Sequence, residues 1–137
     1  MATPAGRDFF DVNEDAAPLS PKQAETFHSV SAKLLYVAIR ARADLLLAVA
    51  FLCTRVSRST AQDQTKLKRA LEYINGSMDL EYTIGADDIG KLRTWEDASY
   101  AVHPDMRSHT GVAMSLGRGA IICKSNSTPR ALPKLSS

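Results

Sequence analysis

The first half of the chain has apolar residues at helical spacing, and this pattern predicts helices. The segment Ser20-Pro21-Lys22-Gln23 is typical of a helix start. Serine accepts a backbone hydrogen bond at the N-cap, proline suits the first helical position, and glutamine fits the capping-box position. The apolar face of this first helix is predicted to be Phe27, Val30, Leu34, Val37 and Ala41.

Two further helices are predicted after it. The second run is apolar on every side, which predicts a buried helix. Its spaced positions are Leu45, Ala48, Leu52 and Val56. The third helix is expected to open at Thr60-Ala61-Gln62-Asp63, with a hydroxyl cap and an acid in the first turn, and to stop at Asn75-Gly76. Its predicted inner face is Leu67, Leu71 and Ile74.

After Gly76 the pattern changes to short apolar stretches separated by glycines, which predicts strands. Leu80 to Ile84 is expected to form a short strand, and Lys91 to Tyr100 a longer one. The apolar runs Gly111 to Leu116 and Ala120 to Cys123 predict a hairpin around Gly117-Arg118-Gly119. The expected fold class is therefore α+β, with three helices followed by an antiparallel meander.

These patterns divide the chain into four segments. Residues 1–19 are expected to be an extended lead-in and residues 20–78 a helical region. Residues 79–124 are expected to form the sheet. Residues 125–137, which lack periodicity, are expected to be a disordered tail.

Composition narrows the class of protein. The 137 residues are 45% hydrophobic and 23% charged, too apolar for a disordered chain. The longest uncharged apolar run, Leu45 to Thr54, is shorter than the roughly 17–25 residues of a transmembrane helix. Met1 to Phe10 contains no apolar signal core, and two distant cysteines suit reduced thiols. We expect an intracellular protein of the cytoplasm or nucleus, neither secreted nor held in a membrane.

The net charge of +2 is unevenly distributed along the chain. Basic side chains concentrate around the junction of the second and third helices, at Arg55, Arg58, Lys66, Lys68 and Arg69. This cluster fits a track that binds the phosphate backbone of a nucleic acid. It fits an ordinary solvated helical face equally well.

Asp97 is the candidate for metal chemistry. Alternation along the predicted strand places Asp97 on the same face as Trp95 and Ser99, and Glu96 on the opposite face. A carboxylate in a sheet is one of the oxygen ligands that magnesium prefers. The alternative is an acid at a strand end that faces water. No zinc-type ligand spacing, Walker loop or Gly-x-Ser-x-Gly motif occurs in the sequence.

Five stretches resemble, in the same order, motifs in the polyprotein of copia-type LTR retrotransposons. Residues 27–38 are similar to "YRSLVGSLLYLA", residues 40–49 to "TRPDIAYAV" with Ala43 in place of the proline, and residues 66–77 to "AKRILRYLKGT". Residues 95–100 fall where the family has "SDADWA", and Asp105 to Gly111 matches "DRKSTSG". The resemblance covers the end of the reverse transcriptase region and the start of the ribonuclease H.

The resemblance implies an incomplete antiparallel sheet of the ribonuclease H type and a parent activity. Ribonucleases H hydrolyse the RNA of RNA–DNA hybrids with two magnesium ions held by clustered carboxylates. Asp97 matches the first of these carboxylates, on the first strand. The next acid of the family belongs to "SSTEAE", where this chain has Asn126-Ser127-Thr128-Pro129-Arg130 and no acid from Val112 onward. We therefore expect a vestigial site that binds no magnesium in this chain.

Two functions follow as expectations. The first is a catalytically incompetent, truncated fragment of the reverse transcriptase and ribonuclease H polyprotein. The second is a non-catalytic module that uses the basic helical surface to bind an RNA–DNA hybrid or other nucleic acid, or that associates with an intact polyprotein. No membrane partner is expected. An unfinished sheet is also expected to leave an uncovered apolar face and an unpaired edge.

Overall fold

The structure, a computed structural model, describes residues 3–99 and 108–128. The chain divides after Tyr82 into two compact units, a helical unit before this point and a sheet unit from Thr83 onward. The described residues form three α-helices and two antiparallel sheets. The predicted α+β class is therefore confirmed at this level of description.

The first helix, α1, spans Pro21–Arg40 and begins at the predicted capping box. The Ser20 hydroxyl accepts a hydrogen bond from the Gln23 backbone N–H (3.4 Å), and the Gln23 side-chain carbonyl accepts one from the Ser20 backbone N–H (3.1 Å). The predicted apolar face is only partly correct, because Val37 and Ala41 are exposed. The helix instead buries Phe27, Ser31, Leu34 and Ala38. These residues recur at four- and three-residue intervals, a stripe rotated from the predicted one.

The second helix, α2, spans Leu46–Thr54 and lies between two short 3₁₀ turns, Ala43–Leu45 and Val56–Arg58. It is shorter than the predicted Leu45–Val56 run, because the 3₁₀ turns take up both ends. The prediction of a buried helix is confirmed for most of its length. Its buried residues are Leu46, Ala48, Val49, Phe51 and Leu52, whereas Leu47 faces solvent.

The third helix, α3, spans Ala61–Asn75 and has a capping box formed by Thr60 and Asp63. Its buried residues are Asp63, Lys66, Leu67 and Ala70. Leu71, which was predicted to face inward, is exposed. The inner face of α3 therefore includes two charged residues, Asp63 and Lys66, that the apolar pattern did not indicate.

The lead-in is more than an extended segment, since it contains turns and packs on the helices. Phe9 is buried, and its ring centroid lies 5.6 Å from that of Phe51 in α2. The backbone N–H of Asn13 donates to the Gln62 side chain (2.9 Å). An isolated β-bridge joins Pro18 to Thr60. The lead-in thus belongs to the helical unit.

The sheet unit contains a short pair, β1 (Gly85–Ala86) with β4 (Gly117–Arg118), and a larger sheet. The larger sheet pairs β2 (Arg93–Ser99), β3 (Ser108–Ser115) and β5 (Ile122–Thr128) in antiparallel fashion, in the order β2-β3-β5. The described part of this sheet is therefore a meander, with β3 in the centre.

Three strand predictions need correction. Leu80 to Ile84 forms no strand, and the short strand β1 begins directly after it, at Gly85. Gly117-Arg118-Gly119 is not a simple hairpin loop, because β4 begins there and pairs back with β1. Residues 125–128 belong to β5 and not to a disordered tail. The rest of the predicted tail, 129–137, lies outside the described residues.

The apolar core of the described chain lies in the helical unit. In the sheet unit, among the side chains described over 83–98 and 110–126, Ser115 is the only buried residue. Its hydroxyl donates to the Gly119 carbonyl (2.6 Å) and accepts from the Gly117 N–H (3.0 Å). Large apolar side chains such as Ile89, Trp95 and Ile122 remain exposed there.

Candidate functional site

Asp97 lies on β2, at one edge of the larger sheet within the described residues. Its cross-strand neighbour on β3 is Gly111, and the next residue across, on β5, is Ser125. The Asp97 side chain is exposed. The predicted alternation fits the strand pairing, because Glu96 pairs with Val112 and therefore points to the other face.

The surroundings of Asp97 do not fit a two-magnesium centre. The residues that share its rung, Gly111 and Ser125, are not carboxylates, and Arg93, four residues before Asp97 on the same face of β2, is a cation. No group of three or more His, Cys, Asp and Glu side chains converges anywhere in the described ranges 3–99 and 108–128. Asp105, which belongs to the "DRKSTSG"-like stretch, lies outside these ranges. Among the described residues, the donor set at this position is therefore one solvated carboxylate.

Arg55, the first residue of the predicted basic track, is buried. Its Nε donates to both carboxylate oxygens of Asp63, at 3.2 and 3.3 Å. Asp63 is fully buried and also accepts hydrogen bonds from the backbone N–H and hydroxyl of Thr60 (2.9 and 3.0 Å). Because a buried carboxylate needs a compensating cation, the guanidinium stabilises the helix cap and is unavailable to a phosphate.

Lys66 is also buried. Its Nζ donates to the Asp11 carbonyl oxygen (2.5 Å) and lies 4.9 Å from the ring centroid of Phe51 and 5.9 Å from that of Phe9. Burial lowers the pKa of this ammonium below its ordinary value. The side chain therefore fastens the lead-in to α3, through a hydrogen bond and cation–π contacts.

The three remaining basic residues do not form a continuous track. Arg58 and Lys68 are exposed, and Lys68 lies 3.8 Å from Glu72 in a surface ion pair. Arg69 is half-buried, and its Nε has no hydrogen-bond partner among the described residues. A phosphate track and a solvated helical face both need exposed side chains, and Arg55 and Lys66 do not meet this requirement. Arg55 pairs with Asp63, and Lys66 contacts a backbone carbonyl and two aromatic rings.

A hydrogen-bonded cluster that the sequence patterns did not indicate connects the turn before α2 to the end of α3. We call it the Arg42 network, and it consists of Arg42, Asp44, Tyr73 and Ser77. The Arg42 guanidinium donates twice to Asp44, from Nε (3.0 Å) and Nη2 (2.8 Å). It also donates to the Ser77 carbonyl (3.0 Å) and to the Ser77 hydroxyl (2.8 Å).

Tyr73 completes the Arg42 network. Its hydroxyl donates to Asp44 (2.9 Å), and its ring lies 5.6 Å from the Arg42 guanidinium carbon. The hydrogen bonds from Arg42 hold the pKa of Asp44 below its ordinary value, and the hydrogen bond to Asp44 raises the pKa of Tyr73. The charges of Arg42 and Asp44 neutralise one another within the network. We therefore interpret it as a structural feature that holds two parts of the helical unit together.

The four residues of the Arg42 network all belong to two of the stretches that resemble retrotransposon motifs, and this is the sequence feature that could have indicated them. Arg42 and Asp44 take the places of R and D in "TRPDIAYAV". Tyr73 takes the place of Y in "AKRILRYLKGT", and Ser77 that of its final threonine. The motifs lie far apart in sequence, and their contact was not evident before the helices were placed.

Comparison with known proteins identifies no relative: no protein-family model, curated protein or solved structure matches the chain. None of the helices in the described part of the chain has the length and apolar character needed to cross a membrane.

Proposed function

We propose that the chain is a catalytically incompetent piece of a copia-type retrotransposon polyprotein, from the end of the reverse transcriptase region into the ribonuclease H. The observation that carries this proposal is the Arg42 network. It brings together residues from two separate stretches that resemble family motifs. If the resemblance were due to chance, there would be no reason for the matched polar residues of two distant stretches to form hydrogen bonds with one another.

The sheet unit gives a second, independent support. The resemblance implies an antiparallel meander with the first catalytic carboxylate on its first strand. In the described residues β2, β3 and β5 are antiparallel neighbours in chain order, and Asp97 lies on β2. The order of strands and the position of the acid therefore agree with what the resemblance implies.

The parent activity, magnesium-dependent hydrolysis of RNA in RNA–DNA hybrids, needs a cluster of carboxylates that holds two metal ions. Asp97 is the single acid matched to that cluster, and no acid occurs from Val112 to Ser137. A single exposed carboxylate binds magnesium weakly, because the ion keeps most of its water when few charged ligands are available. We propose that the chain neither holds this metal centre nor cleaves nucleic acid.

Incubation of the purified chain with a labelled RNA–DNA hybrid and magnesium tests the proposal. An intact ribonuclease H serves as the positive control, and Asp97→Asn as the matched variant. The expected result is equal, background-level cleavage by the chain and by its variant. Magnesium-dependent cleavage that Asp97→Asn abolishes would overturn the proposal, because it would make Asp97 a working catalytic residue.

Nucleic-acid binding by the helical surface is the weaker alternative. Burial of Arg55 and Lys66 removes two of the five cations on which it was based. We expect no gel shift of the hybrid even at low salt, where phosphate contacts are strongest. A salt-sensitive shift that Arg58→Ala and Lys68→Ala together abolish would favour this function.

A further inference from the structure

One face of the larger sheet carries a central apolar patch with opposite charges at its two sides. The pairing of β2, β3 and β5 gives this face three complete rungs across the strands, with nine side chains in them. We call it the Val112 face, and its rungs are Thr94–Met114–Ile122, Glu96–Val112–Lys124 and Ala98–Thr110–Asn126.

The middle rung has a charge pattern that is not compensated within the described chain. Glu96 lies on one side of Val112 and Lys124 on the other, and both are exposed. Over the ranges 3–99 and 108–128, neither side chain takes part in an ion pair. Two strand spacings of about 4.8 Å separate their backbones, and Val112 lies between them.

The described residues leave the apolar patch of this face only partly covered. Ile122 is 43% exposed, and Val112 and Met114 are only half-buried. A face of this kind is stabilised when it packs on another layer. The charges at its sides restrict which layer fits.

We propose that the Val112 face binds the same face of a second copy of the chain, in a two-fold symmetric sandwich. The two-fold axis runs parallel to β3, midway between the two sheets. Rotation about this axis exchanges the sides of the sheet and keeps the height along the strand. Val112 then lies opposite Val112 of the second copy, and each Glu96 lies opposite Lys124.

The spacing between packed sheets agrees with this pairing. Two sheets that pack face to face lie about 10 Å apart. Glutamate and lysine side chains that extend towards each other from the two layers reach across this distance. The interface thus buries the apolar patch and forms two symmetry-related ion pairs at its sides.

The charges also select the orientation. A two-fold axis perpendicular to the strands through the middle rung brings Glu96 onto Glu96 and Lys124 onto Lys124, which is repulsive. The parallel axis is the arrangement that places unlike charges together. The opposite face of the sheet, with Trp95 and Asp97, has no such pattern, because Asp97 lies across Gly111 from the neutral Ser125.

Charge exchange on the full chain tests the sandwich, with sedimentation velocity over a wide range of concentrations as the readout. The chain is expected to dimerise reversibly. Glu96→Lys alone and Lys124→Glu alone each replace two attractions by two repulsions, and each is expected to weaken dimerisation by about tenfold or more. The double variant is expected to restore it.

Mixing the two single variants gives the sharpest result. A lysine introduced at position 96 of one chain then faces a glutamate introduced at position 124 of the other, and the native Lys124 faces the native Glu96. A heterodimer is expected, although each variant alone is mostly monomeric. Asp97→Lys, on the same strand but the opposite face, is the matched control and is expected to dimerise like the unmodified chain.

Three results would overturn the sandwich. The first is an unmodified chain that stays monomeric at all concentrations. The second is a dimer that neither single charge change weakens, which indicates edge-to-edge strand pairing or contact through another surface. The third is a loss of dimerisation in the single variants that neither mixing nor the double variant restores. Circular dichroism of each variant shows whether its fold is retained.

Discussion

Asp63 is buried beside Arg55 in the helical unit, and each of these charges compensates the other. Removal of one partner leaves the other charge buried and unpaired, which costs about 3–5 kcal/mol in comparable pairs. We predict that Asp63→Ala lowers the free energy of unfolding of the helical unit by this amount, measured by urea denaturation with far-ultraviolet circular dichroism.

Glu72→Ala is the control for this prediction. It removes the exposed carboxylate that pairs with Lys68 and is expected to cost less than about 1 kcal/mol. Equal effects of the two substitutions would contradict a buried, structural role for Asp63. The sequence identified Asp63 as a residue of the first helical turn. It did not reveal its burial, because capping has the same pattern on exposed and buried helices.

Lys66 makes a prediction for pH dependence. Burial lowers the pKa of its ammonium from the ordinary 10.5, so the folded state releases this proton at lower pH than the unfolded state does. The unfolded state therefore binds more protons between the two pKa values, and stability is expected to rise with pH across this window, towards 10.5.

Lys66→Met isolates the contribution of this lysine. The variant keeps an unbranched apolar stem against Phe9 and Phe51 but lacks the titrating amine. Urea denaturation of both proteins from neutral to alkaline pH is expected to show the rise relative to the variant. A stability difference that stays constant over this range would contradict it.

At the level of elements, the Arg42 network fastens the turn before α2 to the end of α3. Tyr73→Phe removes one hydrogen bond to Asp44 and is expected to cost about 0.5–1.5 kcal/mol of stability. Arg42→Ala removes all the bonds of the guanidinium and leaves Asp44 without its cation, so a larger loss is expected. Chemical denaturation measures both, and an equal effect would show that the guanidinium is not the centre of the network.

Gly119 carries the second prediction at this level. Its φ is 64°, and a side chain there would collide with the Thr83 carbonyl oxygen. Gly119→Ala is expected to disrupt the β1–β4 pair and to speed hydrogen exchange of the Asp87 amide, which donates to the Leu116 carbonyl (3.0 Å). Gly111→Ala is the matched control, because the nearest atom to its added carbon is 4.0 Å away. Unchanged exchange in Gly119→Ala would contradict this account.

Helices whose first residues carry a capping pattern could be predicted from the sequence. Strands that depend on a partner far along the chain could not. The capping-box pattern at Ser20 and the hydroxyl cap at Thr60 correctly locate the starts of α1 and α3. The apolar segment Leu80 to Ile84 has the residue types of a strand, yet it forms none, because strand propensity does not supply a partner. Gly85–Ala86, directly after this segment, forms β1 because it pairs with β4.

At the level of the whole molecule, apolar burial is concentrated in one of the two units. The protein has a single tryptophan, Trp95, which lies in β2 and reports on the sheet unit. We predict that tryptophan fluorescence changes at lower urea concentration than the helical circular dichroism signal, when both are measured on dilute protein. Coincident transitions would contradict independent stability of the two units.

The candidate site was less predictable than the fold. Asp97 was correctly assigned to a strand face, since alternation is a local property. The basic cluster is defined by charge alone, and charge does not distinguish Arg55, which pairs inside the protein, from Arg58, which faces water. The Arg42 network required the three-dimensional placement of two stretches separated by the whole of α2.

Cleavage of an RNA–DNA hybrid tests the proposed loss of activity most directly. The informative quantity is the ratio of the magnesium-dependent cleavage rates of the unmodified chain and Asp97→Asn, measured at equal protein concentration. A single solvated carboxylate predicts a ratio of one, with both rates at background. A ratio well above one, with cleavage by the unmodified chain that disappears on removal of magnesium, would contradict the account.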